Sequence, residues 1–235
     1  MYESLIREVA DYHGDVVRNI QTIRVSQDLF DDLSDDPAGQ AVAIAAEAVG
    51  RIASDAPLIT RPFDYGTVIT FPFANFNGHG TRFSDGLRYG VWYGSLNLET
   101  TVYETVYHRH RFLQDSFAAE DRSVRSERRV FDVRCDAILL DLRGKQAAEP
   151  GLVERRSYAF TQPFGAYLQG QGTNGLLVKS ARCDGVNAAI WRPETLSRVR
   201  DLCHLTYVMN PRQDLAVVER TPGETWLEIR PSSLY

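Results

Sequence analysis

Apolar residues recur at helical intervals at the start of the chain. Leu5, Ile6, Val9, Val16, Ile20 and Ile23 fall along one side with charges between them, which predicts a helix over residues 2–23. The polar run Asp31-Asp32-Leu33-Ser34-Asp35-Asp36 ends it. Asp36 is suited to cap a second helix with Pro37 in its first position. Val42, Ala45, Val49 and Ile52 give that helix one apolar stripe, and Asp55-Ala56-Pro57 should stop it. The first 56 residues thus read as a helical hairpin.

From residue 58 the texture changes to short segments. Residues 67–73 are β-branched and aromatic, as a strand should be. Phe76-Asn77-Gly78-His79-Gly80 reads as a loop. Residues 89–94 form a short strand. Asn97 can cap a helix running to about Asp115, with Val102, Val106, Phe112 and Leu113 on its apolar side. Strands follow at 129–135 and 137–142, then a helix near 158–169. Further strands are expected at 175–179, 188–191, 202–209, 215–219 and 225–229, with a short helix after Pro193. No internal repeat or low-complexity tract is present. The order gives an α+β class: short mixed or antiparallel strands with flanking helices, plus the N-terminal hairpin.

Composition narrows the function classes. The chain has 235 residues, enough for one large domain, and a formal net charge of −5. That balance argues against a broad nucleic-acid surface, while leaving room for a local basic cleft. Cys135, Cys183 and Cys203 are odd in number and widely spaced, so neither a disulfide framework nor a structural zinc site is expected. Reduced thiols suit a cytoplasmic protein. No apolar run approaches the roughly 18–20 residues of a membrane span, and Met1-Tyr2-Glu3-Ser4 does not begin a signal peptide.

Two motifs mislead. Gly170-Gln171-Gly172-Thr173-Asn174-Gly175 matches a dinucleotide fingerprint, yet here a helix precedes it and an apolar strand follows, the reverse of the required order. A glycine-rich helix-to-strand turn is the expectation. His108 and His110 are two residues apart on a helix and diverge by about 200°, so they cannot share a metal. No metal site is expected.

Arg82, Tyr93 and Glu104 are spaced eleven residues apart, around a loop, a strand and a helix. Singly, each has a structural explanation: a surface cation, a core strand residue and a solvent-facing helix residue. Two features favour chemistry. Arg82 follows a glycine-rich loop, where side chain and backbone can meet phosphate. Glu104 lies two residues off the Val102/Val106 stripe and points elsewhere.

The run Gly80-Thr81-Arg82-Phe83-Ser84-Asp85-Gly86, then Gly90-Val91-Trp92-Tyr93-Gly94-Ser95, then Glu99-Thr100-Thr101-Val102-Tyr103-Glu104-Thr105-Val106 resembles the RES domain, named for its Arg, Glu and Ser. A second block, Asn174-Gly175-Leu176-Leu177-Val178-Lys179-Ser180-Ala181-Arg182 with Gly185-Val186-Asn187, resembles a later segment of that family. The resemblance covers most of residues 60–192. It implies an ADP-ribosyltransferase-like catalytic domain over 57–235, with residues 1–56 as a helical extension.

What the resemblance implies for function is NAD⁺ consumption by a toxin of a bacterial toxin–antitoxin pair. Glu104 would stabilise the ribosyl cation, Arg82 would clamp the pyrophosphate, Tyr93 would orient the nicotinamide, and Ser180 would position the ribose or Glu104. Arg61 maps to an additional upstream arginine, and Asn187 and Arg182 are secondary candidates. NAD⁺ is then substrate, with no further cofactor. The acceptor stays open between water, phosphate and a protein side chain; net NAD⁺ degradation is favoured over mono-ADP-ribosylation of a protein. A fold that has lost its chemistry is a third reading, disfavoured because Arg82, Tyr93, Glu104 and Ser180 are present together. The expected partner is an antitoxin carrying a helix-turn-helix domain, with no direct nucleic-acid or membrane contact. A homo-oligomer is compatible with the chain.

Overall fold

The computed structural model describes residues 2–21, 65–76, 78, 80–117, 121–210 and 212–235. These belong to one compact unit, Met1–Thr22 with Tyr65–Tyr235; Ile23–Asp64 is assigned to a separate unit and lies outside the described residues. The helix expected over 36–56, the domain boundary at 56/57 and Arg61 all fall there.

Eight strands are described: β1 Val9–Gln21, β2 Trp92–Ser95, β3 Val124–Asp141, β4 Gly175–Lys179, β5 Val186–Ile190, β6 Leu196–Met209, β7 Ala216–Thr221 and β8 Glu224–Ile229. The helices are α1 Gly66–Ala74, α2 Leu98–Phe117 and α3 Thr161–Gly170. The strands form one mixed sheet, which places the described unit in the α+β class. β3 is its axis. One edge of β3 carries β1, antiparallel from Val9↔Leu140 to Gln21↔Arg128. The other edge carries β6 over most of its length and β4, parallel, at Leu140 and Asp141. β4 pairs with β5, β5 with β2, and β2 returns to β1 at Val17↔Ser95. Five strands therefore close on themselves, while β6, β7 and β8 extend as an antiparallel meander.

Two expected elements change type. The helix predicted over residues 2–23 is largely β1. In β1, Ala10, Tyr12, Gly14 and Val16 face inward while Val9, Asp11, His13 and Asp15 are exposed. This period of two competes with the helical spacing of Val9, Val16 and Ile20, and pairing with the whole of β3 decides for the strand. The first arm of the expected hairpin is thus part of the sheet. Conversely, the strand predicted at 67–73 is α1. Pro72 lacks the N–H that would bond the Val68 carbonyl, and Trp92 Nε1 supplies that bond instead at 3.0 Å. Burial of Val68 beneath Trp92 outweighs local β-propensity. The two strands expected at 129–135 and 137–142 are one continuous strand.

α2 forms as its sequence requires. Asn97 Oδ1 accepts from the Thr100 N–H at 2.8 Å, and Val102, Val106 and Leu113 are fully buried against β3, β6 and β7. Each such side chain contributes about 1.5–3 kcal/mol. α3 packs Phe164 and Leu168 beside Phe83, Leu140 and Leu176. Gly165 allows this, since a Cβ there would lie 2.2 Å from the Phe83 carbonyl. No helix of the described residues is long and apolar enough to cross a membrane.

The turn joining β4 to β5 meets the first turn of α2 at Gly185. A Cβ there would stand 1.9 Å from Thr100 Oγ1, whose hydroxyl also donates to Asn97. Gly185→Ala should therefore push the turn away from the helix and destabilise the fold by about 1–3 kcal/mol. Urea unfolding measures this, and an unchanged midpoint would show that the turn moves freely.

Candidate active site

α2, β2, β5 and the loop before β2 surround a cavity of about 590 Å³. Its lining includes Arg82, Tyr93, Glu104 and Asn187, four of the residues singled out from the sequence. Burial of Val102 and Val106 turns Glu104, midway between them, away from the core and into this space.

Glu104 is held from the turn after β4 and from β5. Its Oε1 accepts from Ser180 Oγ at 2.7 Å and from Asn187 Nδ2 at 2.6 Å. The Asn187 amide is oriented in turn by Ser95 Oγ, which donates to Asn187 Oδ1 at 2.6 Å. Ser180 Oγ accepts from the Arg182 N–H at 3.0 Å, and the Ser180 N–H donates to the Gly185 carbonyl at 2.7 Å. Ser180 is buried and acts on Glu104 from behind. Among the described residues nothing bonds Glu104 Oε2, which leaves that oxygen for a ligand.

The loop carrying Arg82 is fastened by Tyr93. Its hydroxyl accepts from the Phe83 N–H at 2.9 Å and shares a hydrogen bond with Thr81 Oγ1 at 2.9 Å. Burial pushes the Tyr93 phenol pKa up, so it stays protonated. The hydroxyl is therefore occupied with the loop, and the ring is what Tyr93 presents to the cavity. Arg82 Nη1 donates to the Glu154 carbonyl at 2.9 Å and the Leu152 carbonyl at 3.3 Å, and the guanidinium lies 5.1 Å from the Tyr158 ring centre. These contacts fix its plane while leaving other donors for an anion.

Arg182 is not a lining residue. It is buried, stacks 3.3 Å over Tyr107, and donates to the carbonyls of Leu234 and Arg155, both at 2.7 Å. His108 and His110 point apart, as their spacing requires. His110 contacts the Tyr235 hydroxyl at 3.0 Å, whereas His108 faces the cavity. The His108 side chain is exposed to that cavity. Desolvation lowers its pKa, Glu104 opposes this, and Arg182 and Arg82 add to it. No group of three metal-ligating side chains occurs among the described residues. The Gly170–Gly175 run joins α3 to β4, as its apolar flanks predict.

Sequence reasoning missed His108, Tyr158 and the basic residues Arg18, Arg109 and Arg128 of the lining. His108 and Phe112, one and two turns beyond Glu104 on α2, could have been found by following its face of the helix. Arg18 and Arg128 could not, because their approach depends on the β1–β3 pairing.

A search of curated proteins gives no match. Among solved structures, the chain is similar to one in the crystal structure of the M. tuberculosis MbcT–MbcA toxin–antitoxin complex. The TM-score is 0.45 and the identity 13%, over 83% of this chain and 86% of that one. A family model described as RES domain matches residues 48–210, which include Arg82, Tyr93, Glu104 and Ser180. An arginine at the cavity and a glutamate bonded by a serine are thus contained in a match over most of the sequence, and the chain belongs to the RES domain family.

Proposed function

We propose that the protein is a toxin that degrades NAD⁺ by cleaving the bond between nicotinamide and ribose, and that a cognate antitoxin neutralises it. The observation that carries this reading is Glu104, a carboxylate with one oxygen fixed by Ser180 and Asn187, on the wall of a 590 Å³ cavity. That volume lies in the range of small-molecule sites. Family membership supports the toxin assignment and an ADP-ribosyltransferase-like reading of the sheet.

Nicotinamide leaves NAD⁺ as a neutral molecule, so no acid is needed to protonate it. The barrier is the positive charge that grows on the ribose as the bond breaks. A carboxylate fixed beforehand lowers that barrier without reorganising during the reaction. Glu104 fills this role through Oε2, with Ser180 and Asn187 as positioning residues. The remaining donors of Arg82 hold the pyrophosphate, and the rings of Tyr93 and Tyr158 border the nicotinamide half. Water or phosphate then takes the ribosyl carbon. In this reading the protein works in the cytoplasm, and the antitoxin silences it by covering the cavity, with any DNA contact made by the antitoxin's helix-turn-helix domain.

Glu104→Gln keeps the two acceptor bonds to Oε1 and removes the charge. Calorimetry should find NAD⁺ affinity within about threefold of the parent, while nicotinamide release falls by about 10²–10³-fold. Full turnover in this variant would refute the assignment, and label transferred to added protein in place of free ADP-ribose would move the reading to protein modification.

Arg82→Ala should weaken dinucleotide binding by about 1.5–3 kcal/mol, the scale of a hydrogen bond to a charged group. The same titration tests this, and unchanged affinity would place the pyrophosphate elsewhere.

The depressed pKa of His108 keeps its ring neutral at pH 7. As pH falls below 6.5 and through that lowered value, a cation appears beside Glu104 and partly cancels its field. Activity should therefore rise with pH across this acid limb. His108→Asn should flatten the limb in a pH–rate profile; an unaltered limb would assign it to another group.

A further inference from the structure

Arg18, Arg109 and Arg128 form a second cationic wall of the cavity, apart from the loop that carries Arg82. Arg18 comes from β1, Arg128 from β3 and Arg109 from α2. None of the three makes an ion pair with a carboxylate of the described residues. Arg18 uses Nη1 to donate to the Tyr93 carbonyl at 2.6 Å and lies 5.1 Å from the Trp92 ring centre. Arg128 donates from Nε and Nη2 to the side chain and carbonyl of Asn19, at 2.7 and 2.9 Å, leaving Nη1 without a partner there. Arg109 has no hydrogen-bond partner among the described residues and lies 5.6 Å from the Phe112 ring centre.

Such an arrangement costs stability. Like charges repel, and cations removed from water lose hydration that no described acid restores. The cost is visible in all three groups: burial depresses each pKa, with Arg128 adding to the shift of Arg18 and Arg109 to that of Arg128. Arg18 falls to about 10 and remains charged at neutral pH. Of the charged residues lining the whole cavity, five are Arg or Lys and one, Glu104, is acidic. Glu104 Oε1 is committed to Ser180 and Asn187. Three planar guanidinium groups from different elements, lining one cavity with no ion-pair partner among the described residues, match the chemistry of a tetrahedral oxyanion.

We propose that Arg18, Arg109 and Arg128 form a phosphate-binding subsite, distinct from Arg82, that takes either free orthophosphate or a phosphoryl group carried by the nucleotide. The nucleotide source rests on the NAD⁺ reading above; the orthophosphate source does not. Occupancy supplies the negative charge that the three arginines lack and draws β1, β3 and α2 together around the cavity.

The test is calorimetric titration of the full chain with orthophosphate and, separately, with NAD⁺. Arg109→Gln is the first variant, because its side chain is half-buried and bonds to no described residue. Arg128→Gln is the second, Arg143→Gln is the remote control, and circular dichroism checks that each is folded. The expected result is a loss of tenfold or more in affinity for at least one of the two probes in Arg109→Gln and Arg128→Gln, with none in Arg143→Gln. Orthophosphate retained under saturating NAD⁺ assigns the subsite to the free ion, and orthophosphate displaced by NAD⁺ assigns it to the nucleotide. Folded Arg109→Gln and Arg128→Gln proteins that lose less than tenfold for both probes overturn the subsite. Orthophosphate binding that is sensitive to Arg109 without any NAD⁺ binding would keep the subsite and refute the NAD⁺ reading.

Discussion

The two hydrogen bonds to Glu104 Oε1 hold the site together. They come from Ser180 and Asn187, at the end of β4 and the start of β5, and meet a residue of α2. A carboxylate on a helix can rotate about three bonds and loses that freedom only where partners fix it. Here the partners are themselves fixed: Asn187 by Ser95 on β2, and Ser180 by the Arg182 N–H and the turn closed at Gly185. One carboxylate oxygen thereby ties α2 to three elements of the sheet. Removing either donor would free the group to turn, even though the charge would remain.

The end of the chain reaches the same group. Arg182 donates to the Leu234 carbonyl and Arg155 to the carbonyls of Ser233 and Tyr235. Tyr235 packs on Tyr107 of α2 at 5.0 Å between ring centres and contacts His110. The last residues thus form a strap from α2 to the turn that carries Ser180. Arg182 can be buried here because two carbonyls and the Tyr107 face replace its hydration. Its backbone, not its charge, is what touches the Glu104 network.

The sequence disclosed the site better than the edges of the fold. Glu104 stood out because it breaks the Val102/Val106 stripe, and a polar residue between two core positions must face something other than the core. Arg82, Tyr93 and Ser180 were legible through a motif that keeps residue types at fixed intervals. β1 was misread because its residues fit two periods, and only the partner strand β3, more than a hundred residues away, selects one. α1 was misread because Pro72 and its β-branched neighbours disfavour a helix locally, and a tryptophan twenty residues on repairs the missing bond. Arg18 and Arg128 become neighbours only when β1 lies on β3. No property of either residue alone announces that.

An acidic chain can still enclose a basic cavity. The protein carries a formal charge of −5, yet of the Arg, Lys, Asp and Glu side chains lining the cavity all but Glu104 are basic. Among the described residues, several acids are paired away from the cavity: Asp201 with Arg129, Asp136 with Arg134, Asp141 with Arg143. Paired surface charges are screened over about a Debye length, whereas a cavity with low-dielectric walls concentrates the field of its unpaired groups. The net charge therefore sets the solubility of the molecule and opposes nonspecific adhesion to nucleic acid. The local arrangement sets what enters. Glu104 then sits as the lone acid in a basic enclosure, where its charge lies against whatever positive centre an anionic ligand brings in with it. The dinucleotide proposed as substrate, anionic at its pyrophosphate and cationic at its nicotinamide, would satisfy both parts of the field at once.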